Sequence, residues 1–392
     1  MTLPPRLPPR PTTPAQVAQQ VAENAQAPPQ QVEKGLTDWT VTASTGSTLL
    51  DKAISGLKCR YGGLPGRMIV EISGPPGSGK TTIMAEILGS VQRLGGEVKI
   101  DDPEARLDEQ YCHKMGVHLP MVKAKDKDGS DILIPDPDVY SQPDTVTDVI
   151  EGIVGPLEAY EGKTKRNKTK AWRPDPGHIN GRGTDSLASL STKMEMEQGD
   201  KMGQRRAKEL SEGMRVIARH IHHYNILLVF TNQLRDNVDG GQWAPKKITP
   251  GGNAIPYYAS VRIMLSSMGK LRKDSKSDPY GKMIKAEVSK NSKDIEWRSA
   301  PIYLIFGYGI DDIRANLQWL KDNGAFDEPD PKTGVMKKAG SYRVGDKKYI
   351  SLDLAVAAVE EQNLEQEVKD MVVDLWDILE AEKRPNRKEK AR

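Results

Sequence analysis

The stretch Gly74-Pro75-Pro76-Gly77-Ser78-Gly79-Lys80-Thr81 decides the fold. It fits G-x-x-x-x-G-K-[ST], the phosphate-binding P-loop, and its surroundings fit as well. Met68-Ile69-Val70-Glu71-Ile72 is an apolar run of strand type, and Thr82 to Leu94 carries apolar residues at helical spacing. Strand, glycine loop, helix is the order that the motif requires. Glycines let backbone N–H groups turn inward around a β-phosphate, and the helix N-terminus adds partial positive charge. In this pattern Lys80 reaches the β- and γ-phosphates and Thr81 places its hydroxyl on Mg2+. A glycine-rich turn that matches by accident is the alternative; the flanking strand and helix weigh against it.

Length and composition set the outer limits. A chain of 392 residues allows two or three domains and a sizeable core. Charged residues make up 28% and hydrophobic ones 37%, ordinary for a soluble protein. No apolar run approaches the roughly 18 residues of a membrane span, so no membrane partner is expected. The N-terminus is proline-rich without an apolar core segment, unlike a secretory signal. Two cysteines, Cys59 and Cys112, make no disulfide framework, and a reducing cytoplasm is expected. The net charge of +3 excludes a global basic field, so any nucleic-acid contact must come from local patches.

Residues 1–35 read as a disordered proline-rich start followed by a short helix candidate, Ala15 to Ala25. A docking arm for a partner surface and a free tail both fit that stretch. After the P-loop helix, Glu97 to Asp102 reads as a second strand ending in acids. Glu104 follows at the ligand side of a parallel sheet, where a carboxylate can polarise the water that attacks a γ-phosphate. A solvated loop acid is the other reading. Met121 to Pro137 looks like a polar hairpin. Ser141 to Thr145 opens another helix. Lys163 to Arg173 is a basic run with Trp172, either a nucleic-acid contact or a solvated loop.

Asp185 is the expected second acid near Mg2+. Its position normally ends a continuous apolar strand. Here the preceding residues are His178-Ile179-Asn180-Gly181-Arg182-Gly183, polar and glycine-rich, which weakens both the strand and the expectation of full hydrolysis. Asn225 to Thr231 is the clearest buried strand. It ends in Asn232-Gln233, amides at the γ-phosphate end of the site. Arg235 to Gly252 is a long loop with Trp243. His220, His222 and His223 lack the i, i+4 pair of a helical metal site and read as helix-surface histidines.

In this order the residues resemble a family. Thr45-Gly46-Ser47, the P-loop, Ile100 to Tyr111, Asp185-Ser186, Phe230 to Arg235, Gly251-Gly252-Asn253-Ala254 and Tyr258 to Arg262 look like the bacterial RecA recombinases, phage-encoded members included. The resemblance covers about residues 40–310. It implies a RecA-like α/β P-loop ATPase core with a mostly parallel sheet over 36–310, an N-terminal oligomerisation arm over 1–35 and a small C-terminal α/β domain over 311–392.

It further implies ATP and Mg2+ as ligands, single- and double-stranded DNA as partners, and a helical filament of identical protomers. Gly74, Pro75, Pro76, Gly77, Ser78, Gly79, Lys80, Thr81 and Thr82 match the phosphate site, and Asp108 and Tyr111 positions near the adenine. Glu104 matches the catalytic glutamate, Thr81 and Asp185 the Mg2+ residues, and Gln233 the γ-phosphate sensor. Lys290 matches a lysine that reaches the neighbour's ATP. The family's second lysine, two positions on, is Ser292 here, with Lys293 next. Met194 to Gly203 and Arg235 to Gly252 match two DNA-binding loops. The DNA candidates are Arg205, Arg206, Arg235, Trp243, Lys246, Lys247, Gly251, Gly252 and Asn253. The family's acidic tail is replaced by a basic one, Lys383 to Arg392, so autoinhibition by such a tail is not expected. The function expected is ATP-dependent strand exchange in recombination and repair. Two rivals stand beside it: a ring-forming motor on the same core, and a DNA-coating or mediator protein that binds ATP with little hydrolysis.

Overall fold

The structure, a computed structural model, describes residues 38–107, 109–126, 128–156, 171–191, 203–236, 247–248, 254–330 and 333–383. The chain divides into a larger unit, Leu36–Asp312, and a smaller one that includes Ile313–Arg392. The larger unit runs α1 (Thr48–Ser55), β1 (Met68–Gly74), α2 (Lys80–Arg93), β2 (Val98–Asp101), α3 (Glu109–Lys114), β3 (Met121–Lys125) and β4 (Asp131–Pro135). It continues through β5 (Tyr140–Ser141), α4 (Val146–Val154), β6 (Asn180–Thr184), α5 (Gly203–His223), β7 (Ile226–Gln233), β8 (Arg235–Asp236) and β9 (Lys247–Ile248). It closes with α6 (Ala254–Tyr258), β10 (Val261–Leu271), β11 (Gly281–Asn291), β12 (Ser299–Ile305) and β13 (Gly309–Ile310).

One nine-stranded sheet organises this unit, in the order β13-β12-β11-β10-β1-β7-β6-β2-β5. Pairings from β10 to β5 are parallel, and β11 to β13 extend the sheet antiparallel. The central strands are covered on both faces, which is why β7 is a continuous apolar run, buried in all but its last residue. Alternate residues serve alternate faces. Ile226, Leu228 and Phe230 join Ile69, with Val149 and Ile153 of α4 and Met214, Ile217 and Ile221 of α5, in one core cluster. Each such side chain contributes about 1.5–3 kcal/mol by leaving water. On the other face α2 lays Met84, Leu88 and Val91 against β6.

The polar run before Asp185 is therefore a strand after all, buried at every residue. Gly181 and Gly183 face α2. A Cβ at Gly183 would meet Leu88 at 2.8 Å and Met84 at 2.9 Å, so the helix's apolar side chains fill the space that strand side chains usually take. Arg182 faces the other way. Its guanidinium makes two bonds to the Asp101 carboxylate, at 2.8 and 2.7 Å, and a third to the Gly152 carbonyl at 2.8 Å. Charge is tolerated there because it is fully paired.

Other local readings follow the sequence. Thr145 caps α4, and the Asp148 side chain reaches back to the cap in a capping box. β3 and β4 form the expected hairpin. The aromatic of the basic run belongs to the core: Trp172 is buried, and its indole N–H donates to Glu97 Oε2 at 3.2 Å. Its carbonyl lies 2.6 Å from His220 Nε2, a histidine whose pKa burial pushes down. The basic residues at 163–170, and the arm expected within 1–35, lie outside the described residues.

The helix α7 (Asp312–Asp322) begins at the division between the units. The smaller unit then carries hairpins β14 (Glu328–Pro329) with β15 (Met336–Lys337) and β16 (Tyr342–Val344) with β17 (Lys347–Tyr349). The helices α8 (Leu352–Gln362) and α9 (Glu365–Lys383) follow, with Val359, Val368, Val372 and Val373 buried. No helix among the described residues is long and apolar enough to cross a membrane.

Candidate nucleotide site

The P-loop joins the end of β1 to the start of α2. Gly77 and Gly79 take φ of +66° and +89°, a region other residues rarely adopt. Gly79 is the N-cap of α2 and offers no side chain, so the first N–H groups of the helix are left for a ligand. Ser78 Oγ is buried without a hydrogen-bond partner, an orphan polar atom inside the loop. Such a cradle suits an anion.

Asp185, Thr231, Glu104 and Ser186 converge on Lys80 and Thr81 of the loop. Lys80 Nζ donates to the carbonyls of Gly74 and Pro75, at 3.1 and 2.9 Å. Burial lowers its pKa, and the carboxylates of Asp185 and Glu104 act against that fall. Thr81 Oγ1 donates to Asp185 Oδ2, and Thr231 Oγ1 to the other oxygen, Oδ1. Two hydroxyls from two elements thus fix the Asp185 carboxylate. Glu104 accepts from Ser186 Oγ at 2.9 Å and pairs with Arg106 at 2.6 Å. The next residue, Ala105, has φ +50°. Backbone of that kind costs energy and clusters at functional sites.

The amides at the end of β7 divide their work. Asn232 is buried; it donates to Glu71 at 3.0 Å and accepts from the Gln233 N–H at 3.0 Å. Glu71 is also bonded to Arg262. Gln233 is half-buried and lies in register with Gly74, the first residue of the P-loop. Two residues later β8 begins, paired antiparallel with β9 through Arg235 with Ile248 and Asp236 with Lys247. A short ladder thus forms the base of the loop expected to meet DNA. A cavity of about 340 Å³ opens beside the P-loop, lined in part by Thr82, Tyr111, Lys282, Leu304 and Phe306. Thr82 and Tyr111 share a hydrogen bond of 2.8 Å at its edge.

The RecA N-terminal domain family matches residues 32–150 and 177–311. The chain belongs to the RecA family. It is 32% identical to Protein RecA of Cereibacter sphaeroides (strain ATCC 17023) over 78% of this chain and 75% of that one. Against Protein RecA of Paracoccus denitrificans it is 32% identical, over 78% and 72% of the two chains. Against that of Caulobacter vibrioides (strain NA1000) it is 29% identical, over 77% and 71%.

Lys80, Thr81, Thr82, Glu104, Tyr111, Asp185 and Gln233 come together around the loop. Lys290 does not: it pairs in register with Arg262, which faces Glu71, three residues short of Gly74. Its ammonium donates to the carbonyls of Pro256 and Tyr257 in α6, at 2.7 and 3.1 Å. Arg205 and Arg206 lie in the first turn of α5. Asp108, Trp243, Lys246, Gly251, Gly252 and Asn253 fall outside the described residues. Sequence reasoning missed Lys282, whose ammonium donates to the Gly77 carbonyl, and the hydroxyls of Ser186 and Thr231. Ser186 and Thr231 lie in stretches that resemble the family, but their partners, like that of Lys282, are tens to hundreds of residues away and spacing does not reveal them.

Proposed function

We propose that this RecA-family protein is a DNA-dependent ATPase that assembles as a filament on single-stranded DNA and drives homologous pairing and strand exchange. The observation that carries this reading is the meeting of Lys80, Thr81, Glu104 and Asp185 at one P-loop, with Gln233 in register beside it. ATP is the substrate. Lys80 meets charge on the transferring phosphoryl group, and Glu104, oriented by Ser186, takes a proton from the attacking water. Thr81 and Asp185 are hard oxygen donors, and they fit Mg2+, which takes one or two protein oxygens beside phosphates and water. Bound there it would neutralise phosphate charge.

Gln233 ends a rigid, buried strand, and the DNA loop starts two residues on. The nucleotide state thus has a short path to Arg235, and Arg235, Trp243, Lys246, Lys247 and Gly251 to Asn253 are proposed as DNA contacts. Arg205 and Arg206 are proposed as a second DNA contact. Backbone charge and base stacking make such binding sequence-tolerant and salt-sensitive.

The low-hydrolysis coat reading rested on the polar run before Asp185. That run is an intact strand, which removes its motive. Steady-state ATPase with and without single-stranded DNA tests the proposal. Lys80→Ala should abolish turnover, and Glu104→Gln should lose it while keeping ATP and DNA binding. Parent-level hydrolysis by Glu104→Gln would place the base elsewhere, and closed rings in negative-stain images with DNA and an ATP analogue would favour the motor.

A further inference from the structure

We infer, on the P-loop reading above, that Lys282 is a second nucleotide lysine that takes the α-phosphate end of ATP and ADP and sets affinity for both alike. Lys282 is the second residue of β11, 205 residues from its contact in the loop. Its ammonium donates to the Gly77 carbonyl. The same ammonium lies 6.0 Å from the centre of the Phe306 ring, and the side chain lines the cavity with Thr82 and Tyr111. One cation therefore stands where the loop meets the cavity.

Position assigns the part of the nucleotide. Lys80 interacts with Asp185 and Glu104, which mark the γ-phosphate end. The cavity, walled in part by Tyr111 and Phe306, meets the loop at Lys282. A nucleotide with its β-phosphate in the loop and its base in that cavity must carry its α-phosphate past Lys282. Lys80 and Lys282 already share this space, since the charge of Lys282 helps lower the Lys80 pKa.

Charge points the same way. Among the described residues no carboxylate forms an ion pair with Lys282, and burial alone lowers its pKa. A half-buried ammonium held by a neutral carbonyl gains when a phosphate offers a charge-assisted bond, about twice as strong as a neutral one. Because ATP and ADP have the same α-phosphate, the gain is equal for both. It lowers KM rather than raising kcat.

The rival role is structural, with Lys282 only pinning the loop. Titration of fluorescent ADP and ATP analogues into the full-length protein separates the two. The set is the parent, Lys282→Met, Lys282→Arg and Lys80→Ala, with ATPase kinetics and melting temperatures alongside. Lys282→Met should weaken both analogues about tenfold or more, as expected for a hydrogen bond to a charged group. KM should rise by the same factor, Lys282→Arg should recover most of the affinity, and the melting temperature without nucleotide should hold. AMP should compete with the analogues less well in Lys282→Met than in the parent. Unchanged affinity, a loss confined to ATP, or a lower melting temperature with no rescue by arginine overturns the inference. If the parent binds neither analogue, the P-loop reading itself fails; if only Lys282→Met behaves as the parent, the role of Lys282 fails alone.

Discussion

Glu86 sits on α2, one turn beyond the P-loop, packed so closely under Gly46 that a Cβ there would meet its side chain at 2.9 Å. Burial raises its pKa from 4.5 to about 7; Arg93 opposes the rise, and Asp312 and Asp51 add to it. Between those two values the folded chain holds a proton that the unfolded chain has lost. The group's contribution is therefore complete below about pH 4.5 and is lost as pH rises through 7. Glu86→Gln keeps the neutral form at every pH. Its melting temperature should exceed the parent's at pH 8, and the gap should shrink toward pH 4.5. A gap that stays constant across thermal melts in that range would rule out titration of Glu86 as its cause.

At the scale of elements, β6 and β7 are neighbours built on opposite rules. β7 is filled by its own apolar side chains, β6 by those of α2 and by one ion pair. Arg182→Ala leaves the Asp101 carboxylate buried without its partner, which should cost about 3–5 kcal/mol. Gly183→Ala forces a methyl into Leu88 and Met84 and should cost about 1–3 kcal/mol. Urea unfolding of both variants checks the order; an Arg182→Ala protein as stable as the parent would contradict the pairing. The proposed coupling runs through β7. Gln233→Ala should keep ATP binding yet lose the difference in single-stranded DNA affinity between an ATP analogue and ADP. Retention of the full difference would leave Gln233 as no more than a strand terminus.

At the scale of the whole molecule, the position of Lys290 bears on assembly. This lysine caps the carbonyls of α6 and lies short of its own P-loop. If it serves the nucleotide of a neighbouring protomer, Lys290→Ala should bind nucleotide as the parent does but lose DNA-stimulated hydrolysis. Mixing it with Lys80→Ala should then restore part of the activity, because some neighbours combine an intact P-loop with an intact Lys290. No recovery in the mixture, measured as ATPase on single-stranded DNA, would confine Lys290 to capping α6.

Much of this protein was legible in the chain because the informative residues are neighbours in it. The P-loop, α2 with its apolar period, the β3–β4 hairpin and the run from Ile226 to Thr231 each declare themselves within a few residues. The helix that opens after Ser141 to Thr145 does so as well, and Glu104 follows a strand end as a candidate acid, whereas the capping box of Thr145 with Asp148 is seen only in the fold. His178 to Gly183 read as a poor strand because strand patterns assume that a buried strand supplies its own apolar surface. Only packing shows that Leu88 and Met84 supply it, and that Asp101, from 81 residues away, neutralises Arg182. The same holds for Lys282 at Gly77, Ser186 at Glu104 and Thr231 at Asp185. Local pattern carries secondary structure and motif, whereas the sheet order brings β11, β6 and β7 beside one loop. Charge and hydrogen bonding act at a few ångströms, so those partners existed only once the chain had folded.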